Sequence, residues 1–122
     1  MSKFQQPRTR SFVAGADLSA LKYHGVKLGA TAGEVVIAVA GDAEFILMNS
    51  PIQGDAAECA MIGGGAMGHS GAAVAAGDEI ASDANGKLVA ASSTNKVIGI
   101  ALTATVGADE YFELERVRYV KA

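Results

Sequence analysis

The sequence predicts an all-β fold, a small β-sandwich or β-barrel built from two similar hairpin-containing units, with an extended N-terminal arm and at most one short helix. Three observations support this prediction. The 15 glycines recur so often that a helix of more than about 12 residues would have to absorb roughly 1 kcal/mol for each interior glycine. β-Branched runs and an Asn-Gly turn mark strands, and the pattern of turns and strands repeats along the chain.

Residues 1–15 are predicted to form an extended basic arm, and residues 16–122 a single β-rich domain. The segment Met1–Ser11 is polar and basic, contains Pro7 and shows neither the strand period of 2 nor the helix period of 3.6. An arm of this kind can reach a neighbouring chain; a disordered terminus is the alternative. Asp17 can cap one helical turn through Leu18–Leu21. The best remaining helix candidate, Gly71–Ala76, is too short to nucleate alone.

Two buried strands are predicted in the first half of the chain. Glu34–Ala40 is a β-branched apolar run of strand length, and Phe45–Asn49 follows a Gly41-Asp42 turn. In the second half, Asn85-Gly86 supplies the positive φ angles of a tight hairpin turn between two further strand patterns. The sequence therefore predicts a hairpin over residues 79–91.

The segment Val97–Thr103 alternates large and small side chains. Ile98, Ile100 and Leu102 are predicted to face a core, because residues two apart in a strand share a face. The opposite face carries Gly99 and Ala101, whose small side chains permit close approach of a partner. This face is therefore predicted to belong to an interface.

The last strand pattern, Tyr111–Val120, changes phase. Phe112 and Leu114 share one face, whereas Val117 and Tyr119 fall on the other at a period of 2. A β-bulge near residues 115–116 explains such a change.

An internal repeat links the two halves of the chain. Shifting the sequence by about 53 positions superposes Gly33 on Gly86 and Phe45 on Ile98 without a gap. Each half then consists of a turn, two strands, a glycine turn and a strand, which predicts two similar β units.

Charge is distributed unevenly. Each end of the chain carries three basic residues and no acid, while residues 17–115 hold all 13 acids against four lysines, a net charge of −9. An acidic body disfavours nucleic acid as a partner, since phosphate binding needs several basic residues on one surface. The basic ends and the small-residue face together give the predicted interface residues: Phe4, Arg8, Arg10, Phe12, Gly99, Ala101, Arg116, Arg118 and Tyr119.

The sequence offers no constellation for catalysis. Residues 63–68 satisfy G-x-G-x-x-G, but the helix that a dinucleotide site requires does not follow. Gly68-His69-Ser70-Gly71 lacks the last glycine of a nucleophile elbow, and the two histidines and Cys59 have no metal-ligand spacing. We therefore predict no enzyme activity, no metal or cofactor, and no small-molecule substrate. No apolar window is long enough for a membrane span, and a single cysteine fits a reducing cytoplasm.

Four blocks of residues, in this order and spacing, resemble the phage capsid cement (head decoration) family, once a domain of unknown function that was mislabelled as a predicted recombinase. The resemblance covers residues 17–117 and is carried by Asp17-Leu18-Ser19, Asn49-Ser50-Pro51 with Gly54–Glu58, Ala75–Ile80 with Ser82–Val89, and Val97–Leu102. The chain lacks a phosphate loop and a basic groove, which argues against recombinase activity.

The resemblance implies a structural protein of the virion, made in the host bacterial cytoplasm and located on the capsid surface. Its partners would be the major capsid protein, at junctions between subunits, and further copies of itself, first as a homotrimer and second as a homodimer. It would stabilise the expanded shell. The alternative is a β-rich adaptor, or another virion subunit that is not on the capsid surface.

Overall fold

The structure, a computed structural model, describes residues 8–122, which are all-β as predicted and contain no helix. The ten strands are β1 (Thr9–Ala14), β2 (Gly25–Leu28), β3 (Glu34–Ile37), β4 (Phe45–Leu47), β5 (Ala56–Ala60), β6 (Gly65–His69), β7 (Glu79–Ser82), β8 (Leu88–Ala90), β9 (Lys96–Ala101) and β10 (Tyr111–Val120). Within these residues no helix is long and apolar enough to cross a membrane. The short helix allowed at Leu18–Leu21 is a turn, in which the Leu21 amide donates to the Leu18 carbonyl at 3.0 Å.

Strands β1–β5 form a closed barrel in the order β1-β3-β2-β4-β5, which we call the first unit. β1 pairs antiparallel with β5 from Thr9, opposite Ala60, to Val13, opposite Ala56. It also pairs in parallel with β3, but only through Val13 and Ala14. The backbone of β1 before Val13 is therefore paired with a strand on one side alone.

Strands β6–β10 form the second unit, a five-stranded sheet in the order β6-β10-β9-β7-β8. Each strand of the first unit corresponds to the strand five places later in the chain, so the equivalent closed order in the second unit is β6-β8-β7-β9-β10, with β10 next to β6. The second sheet has these same neighbours except that β6 and β8 are not paired as strands, and these two strands are its edges. A parallel bridge between Ser70 and Leu88 lies where the first unit has its parallel pair β1 and β3. The second unit is thus a less completely closed version of the first, which confirms the prediction of two similar units.

Turn geometry repeats along with strand order. Gly33 and Gly86 have φ angles of 80° and 78°, and Gly41 and Thr94 both have φ angles of 70°. Each pair is separated by 53 positions, the offset found in the sequence. A threonine in the left-handed region is uncommon, so this turn keeps its geometry even where the glycine is lost.

The predicted hairpin and bulge are both present, but of the predicted Asn85-Gly86 pair only Gly86 has a positive φ angle, 78°. β7 and β8 pair antiparallel across a turn in which Asp83 Oδ1 accepts hydrogen bonds from the amides of Asn85 (2.8 Å) and Lys87 (3.0 Å). In β10 the pairing with β9 shifts register between Arg116 and Tyr119. A bulge at this point redirects the side chains that follow it, so the two halves of one long strand can face different environments.

The N-terminal arm predicted over residues 1–15 needs a correction. Residues 1–7 lie outside the described residues, and Thr9–Ala14 form a barrel strand instead of a free arm. The physical reason is pairing: β5 offers five consecutive partners, and the Met61 amide donates to the Arg8 carbonyl at 2.6 Å.

The buried side chains fall into two clusters. One fills the first unit and includes Leu18, Val26 and Phe45. The other joins the two units, since it combines Ile46 and Ala60 of the first with residues of the second, among them Ala66, Ile98, Phe112 and Leu114. We call the region where the units meet the seam. Its alanines allow the two units to approach closely.

Candidate interaction surface

An aromatic pair flanked by two arginines lies at the edge of the first unit's core, where Phe12 is half-buried and Phe45 is buried. The rings of Phe12 and Phe45 have centroids 5.0 Å apart. The Arg10 guanidinium lies 5.7 Å from the centre of the Phe12 ring, and that of Arg118 lies 6.0 Å from the centre of the Phe45 ring. We call these four residues the basic aromatic patch. Aromatic and arginine side chains are enriched among the residues that contribute most to protein interfaces.

Strand alternation explains how β1 contributes to the patch. Arg8, Arg10, Phe12 and Ala14 share one face of the strand, because residues two apart point the same way. Ala14 is buried in the barrel, Phe12 is half-buried and the two arginines are exposed. This face therefore passes from the core to solvent at Phe12.

Ion pairs hold the basic side of the patch in place. Arg118 Nη2 lies 3.2 Å from Glu44 Oε2, and Asp42 contacts Lys96 at 2.9 Å and Lys27 at 3.3 Å. The hydrogen bond from Lys96, together with that from Lys27, lowers the pKa of Asp42. Three cations thus meet two carboxylates here, and the two arginines of β1 add further positive charge. The surface is basic although the body of the chain is acidic.

Three of the predicted interface residues, Arg10, Phe12 and Arg118, therefore come together in the patch. Arg8, two residues before Arg10, is exposed, and its side chain lies against Gly63. Tyr119 is also exposed, but its hydroxyl donates to Glu79 of the second unit. Phe4 lies outside the described residues.

Arg116, predicted at an interface, lies instead in the seam with only 1% of its surface exposed. Its Nε donates to the Ala60 carbonyl at 3.1 Å, its Nη2 to the Glu44 carbonyl at 2.9 Å, and its Nη1 to the carbonyls of Ile98 and Val117. Two of these carbonyls belong to the first unit and two to the second. Burial lowers the pKa of Arg116 to about 10, so the guanidinium remains charged at neutral pH. It joins the two units of one chain.

Gly99 and Ala101 are also corrected, because both are buried within the second unit. A Cβ atom on Gly99 would lie 2.5 Å from Leu114 Cδ1, so the small residue makes room for the core of its own unit. Of the residues predicted to face the core, Ile98 is buried in the seam, whereas Leu102 is 53% exposed. The small side chains do allow a neighbour to approach closely, but that neighbour belongs to the same chain and not to a partner.

A cluster of aromatic rings at the seam was not predicted. The rings of His24 and His69 have centroids 4.6 Å apart, and Tyr111 meets His69 edge-on at 5.4 Å. Asp109 Oδ1 pairs with Lys87 at 2.8 Å and lies 2.9 Å from His69 Nε2. The hydrogen bond from Lys87, followed by that from His69, lowers the pKa of Asp109 to about 2. Burial lowers the pKa of His24. Sequence spacing gave no sign of the cluster, because pairing across the seam joins residues 45 positions apart.

The motifs considered for catalysis have structural roles. Residues 65–69 of the glycine-rich run form strand β6, and no helix follows. Ser70 is buried; its hydroxyl donates to the Gly107 carbonyl at 2.8 Å and accepts from the Glu110 amide at 3.1 Å. Burial raises the pKa of the Cys59 thiol to about 12. Across residues 8–122 there is no pocket and no group of three side chains able to hold a metal ion.

The fold is similar to that of a known phage protein. The crystal structure of the head fiber gp8.5 N base in bacteriophage phi29 superposes with a TM-score of 0.70 and 15% sequence identity, covering 94% of this chain and 98% of that chain. At this identity the likeness establishes the fold. No family model and no curated protein sequence matches the chain. The resemblance to the capsid cement family therefore stays a prediction.

Proposed function

We propose that this chain is a structural protein of a bacteriophage virion that binds the outer surface of the head at junctions between major capsid subunits and stabilises the expanded shell. The observation that carries the proposal is the double-unit fold, which is similar over almost the whole of both chains to the base of a phage head fiber. The capsid cement resemblance of residues 17–117 supports the same assignment.

The basic aromatic patch is the surface through which the protein meets neighbouring subunits of the head. Its rings and guanidinium groups offer apolar area and charge-assisted hydrogen bonds together. Arg118 is held by its ion pair with Glu44, and the two rings are held by barrel strands, so little conformational entropy is lost at these side chains when a partner docks. A partner surface that is acidic and partly apolar complements it.

In this proposal the protein is made in the host cytoplasm and is added to the capsid surface. It binds as a trimer at three-fold positions, with dimers at two-fold positions as the second choice. Three copies around one axis engage several capsid subunits at once, and such multivalent attachment raises overall affinity well above that of one contact.

The test is to mix the purified protein with undecorated expanded capsids and to measure occupancy by electron microscopy. We expect saturable, stoichiometric density on the shell and a higher temperature of capsid disruption. Arg10→Glu is expected to weaken binding at least about tenfold, whereas Lys22→Glu, which reverses an exposed charge away from the patch, serves as the matched control. A stable soluble oligomer that never occupies shells would instead favour the adaptor, and would end the capsid proposal.

A further inference from the structure

The outward face of the second unit carries two glutamates among apolar side chains. Pairing places Glu113 of β10 opposite Met67 of β6, and Glu115 opposite Ile100 of β9. The Leu102 amide donates to the Glu113 carbonyl, which puts Leu102 beside Glu113 on the other side. We call these five residues the acidic apolar face.

This face has no counter-charge of its own. Neither Glu113 nor Glu115 forms an ion pair with any residue in the described range. Leu102 is 53% exposed, and the neighbouring Tyr111 on the same face of β10 is 59% exposed. Isolated exposed apolar residues are normal, but a contiguous group beside unpaired charge is typical of an interaction site.

The complementary pattern occurs elsewhere in the same chain. Arg8, which directly precedes β1, and Arg10 within it are two residues apart on one face and are followed on that face by Phe12. They too form no ion pair among residues 8–122. Residues two apart in a strand are separated by about 6.6–6.8 Å, so the two arginines have the same spacing as Glu113 and Glu115.

We propose that the acidic apolar face docks on β1 of a second copy of this chain, with that copy's Arg8 and Arg10 opposite Glu113 and Glu115 and its Phe12 against the apolar side chains. This inference rests on the proposed function, since it names the neighbour that the basic aromatic patch meets first. The contact joins two different surfaces and is therefore head-to-tail. It forms a closed ring, such as a trimer, when the rotation between copies closes.

Charge reversal on each side, followed by combination, tests the pairing. Glu113→Lys with Glu115→Lys, and separately Arg8→Glu with Arg10→Glu, are each expected to raise the self-dissociation constant at least about tenfold. A chain that carries all four substitutions is expected to associate again, because the charges are complementary once more. Mass is measured by light scattering and sedimentation over a range of concentration and salt, and association of the wild type should weaken as salt rises.

Asp55→Lys is the matched control, since it reverses an exposed acid of the first unit outside both surfaces. Far-ultraviolet circular dichroism confirms that each variant is folded. A wild type that stays monomeric, a double variant that associates like the wild type, or a fourfold variant that fails to recover would each overturn the proposal.

Capsid occupancy of the same variants separates this inference from the proposed function. Loss of self-association together with weaker occupancy of shells supports both proposals, whereas loss of self-association with full occupancy supports the contact between copies and overturns the role of the basic aromatic patch in shell binding. Self-association without any occupancy of shells by the wild type supports the head-to-tail contact and ends the capsid assignment.

Discussion

Replacing Arg116 with methionine removes the guanidinium that joins the two units while it keeps much of the aliphatic stem. Four carbonyls lose this donor, those of Ala60 and Ile98 in buried hydrogen bonds and those of Glu44 and Val117 in part-buried ones. A hydrogen bond from a charged donor contributes about 1.5–3 kcal/mol, so the lost bonds alone would amount to at least about 6 kcal/mol. Part of this is offset, because a buried guanidinium carries a desolvation cost of several kcal/mol that the variant no longer has. We expect a net destabilisation of about 3–5 kcal/mol, the range for removing one partner of a buried ionic contact.

Urea unfolding, followed by circular dichroism and tyrosine fluorescence, measures this change. With a slope of about 1.5–2 kcal/mol per M for a domain of this size, the midpoint should fall by about 2 M. Arg118→Met removes a half-exposed arginine from the same strand and should cost about 0–1 kcal/mol. A stability of Arg116→Met within 1 kcal/mol of that control would refute the idea that the guanidinium holds the seam together.

Two further predictions concern the seam and the core of the second unit. His24 is buried next to His69, and burial lowers its pKa, so the folded protein favours the neutral ring. The stabilising contribution of the neutral ring is complete above the ordinary histidine pKa near 6.5, and it is lost as the pH falls from there through the lowered pKa. The urea midpoint should therefore drop between pH 7 and 5. The drop should be smaller in His24→Asn, whose amide can still donate to the Lys22 carbonyl. An equal drop in both proteins would contradict this. Gly99→Ala forces a Cβ against Leu114 and should destabilise by about 1–3 kcal/mol, measured by thermal unfolding; an unchanged midpoint would show that the core can rearrange.

Local sequence signals predicted the local features of this fold. The Asn85-Gly86 hairpin and the bulge after Arg116 depend on turn chemistry and on alternation within one strand, and both are present. The two-unit organisation was also visible, because equivalent turns need the same backbone geometry. Gly33 and Gly86 show this directly.

Features that depend on distant pairing were missed. Alternation within β9 does not show which of its faces is buried, because residues of the second unit cover one face and the seam covers part of the other. Gly99 was therefore assigned to an interface, although it is buried within its own unit. A charged residue is almost never fully buried unless it is paired, and the acceptors of Arg116 come from four separate segments. The Phe12–Phe45 contact likewise forms only once barrel pairing has brought β1 and β4 into one sheet.

The repeated strand order has a consequence for how the seam is sustained. Two separate units that met through the buried cluster of the seam and Arg116 would have to find each other in solution and would lose translational freedom on doing so. A covalent connection makes that meeting intramolecular, with an effective concentration of about millimolar for a short linker. A contact too weak to hold free subunits together can therefore persist within the chain, which leaves the outer surfaces of both units available for other proteins.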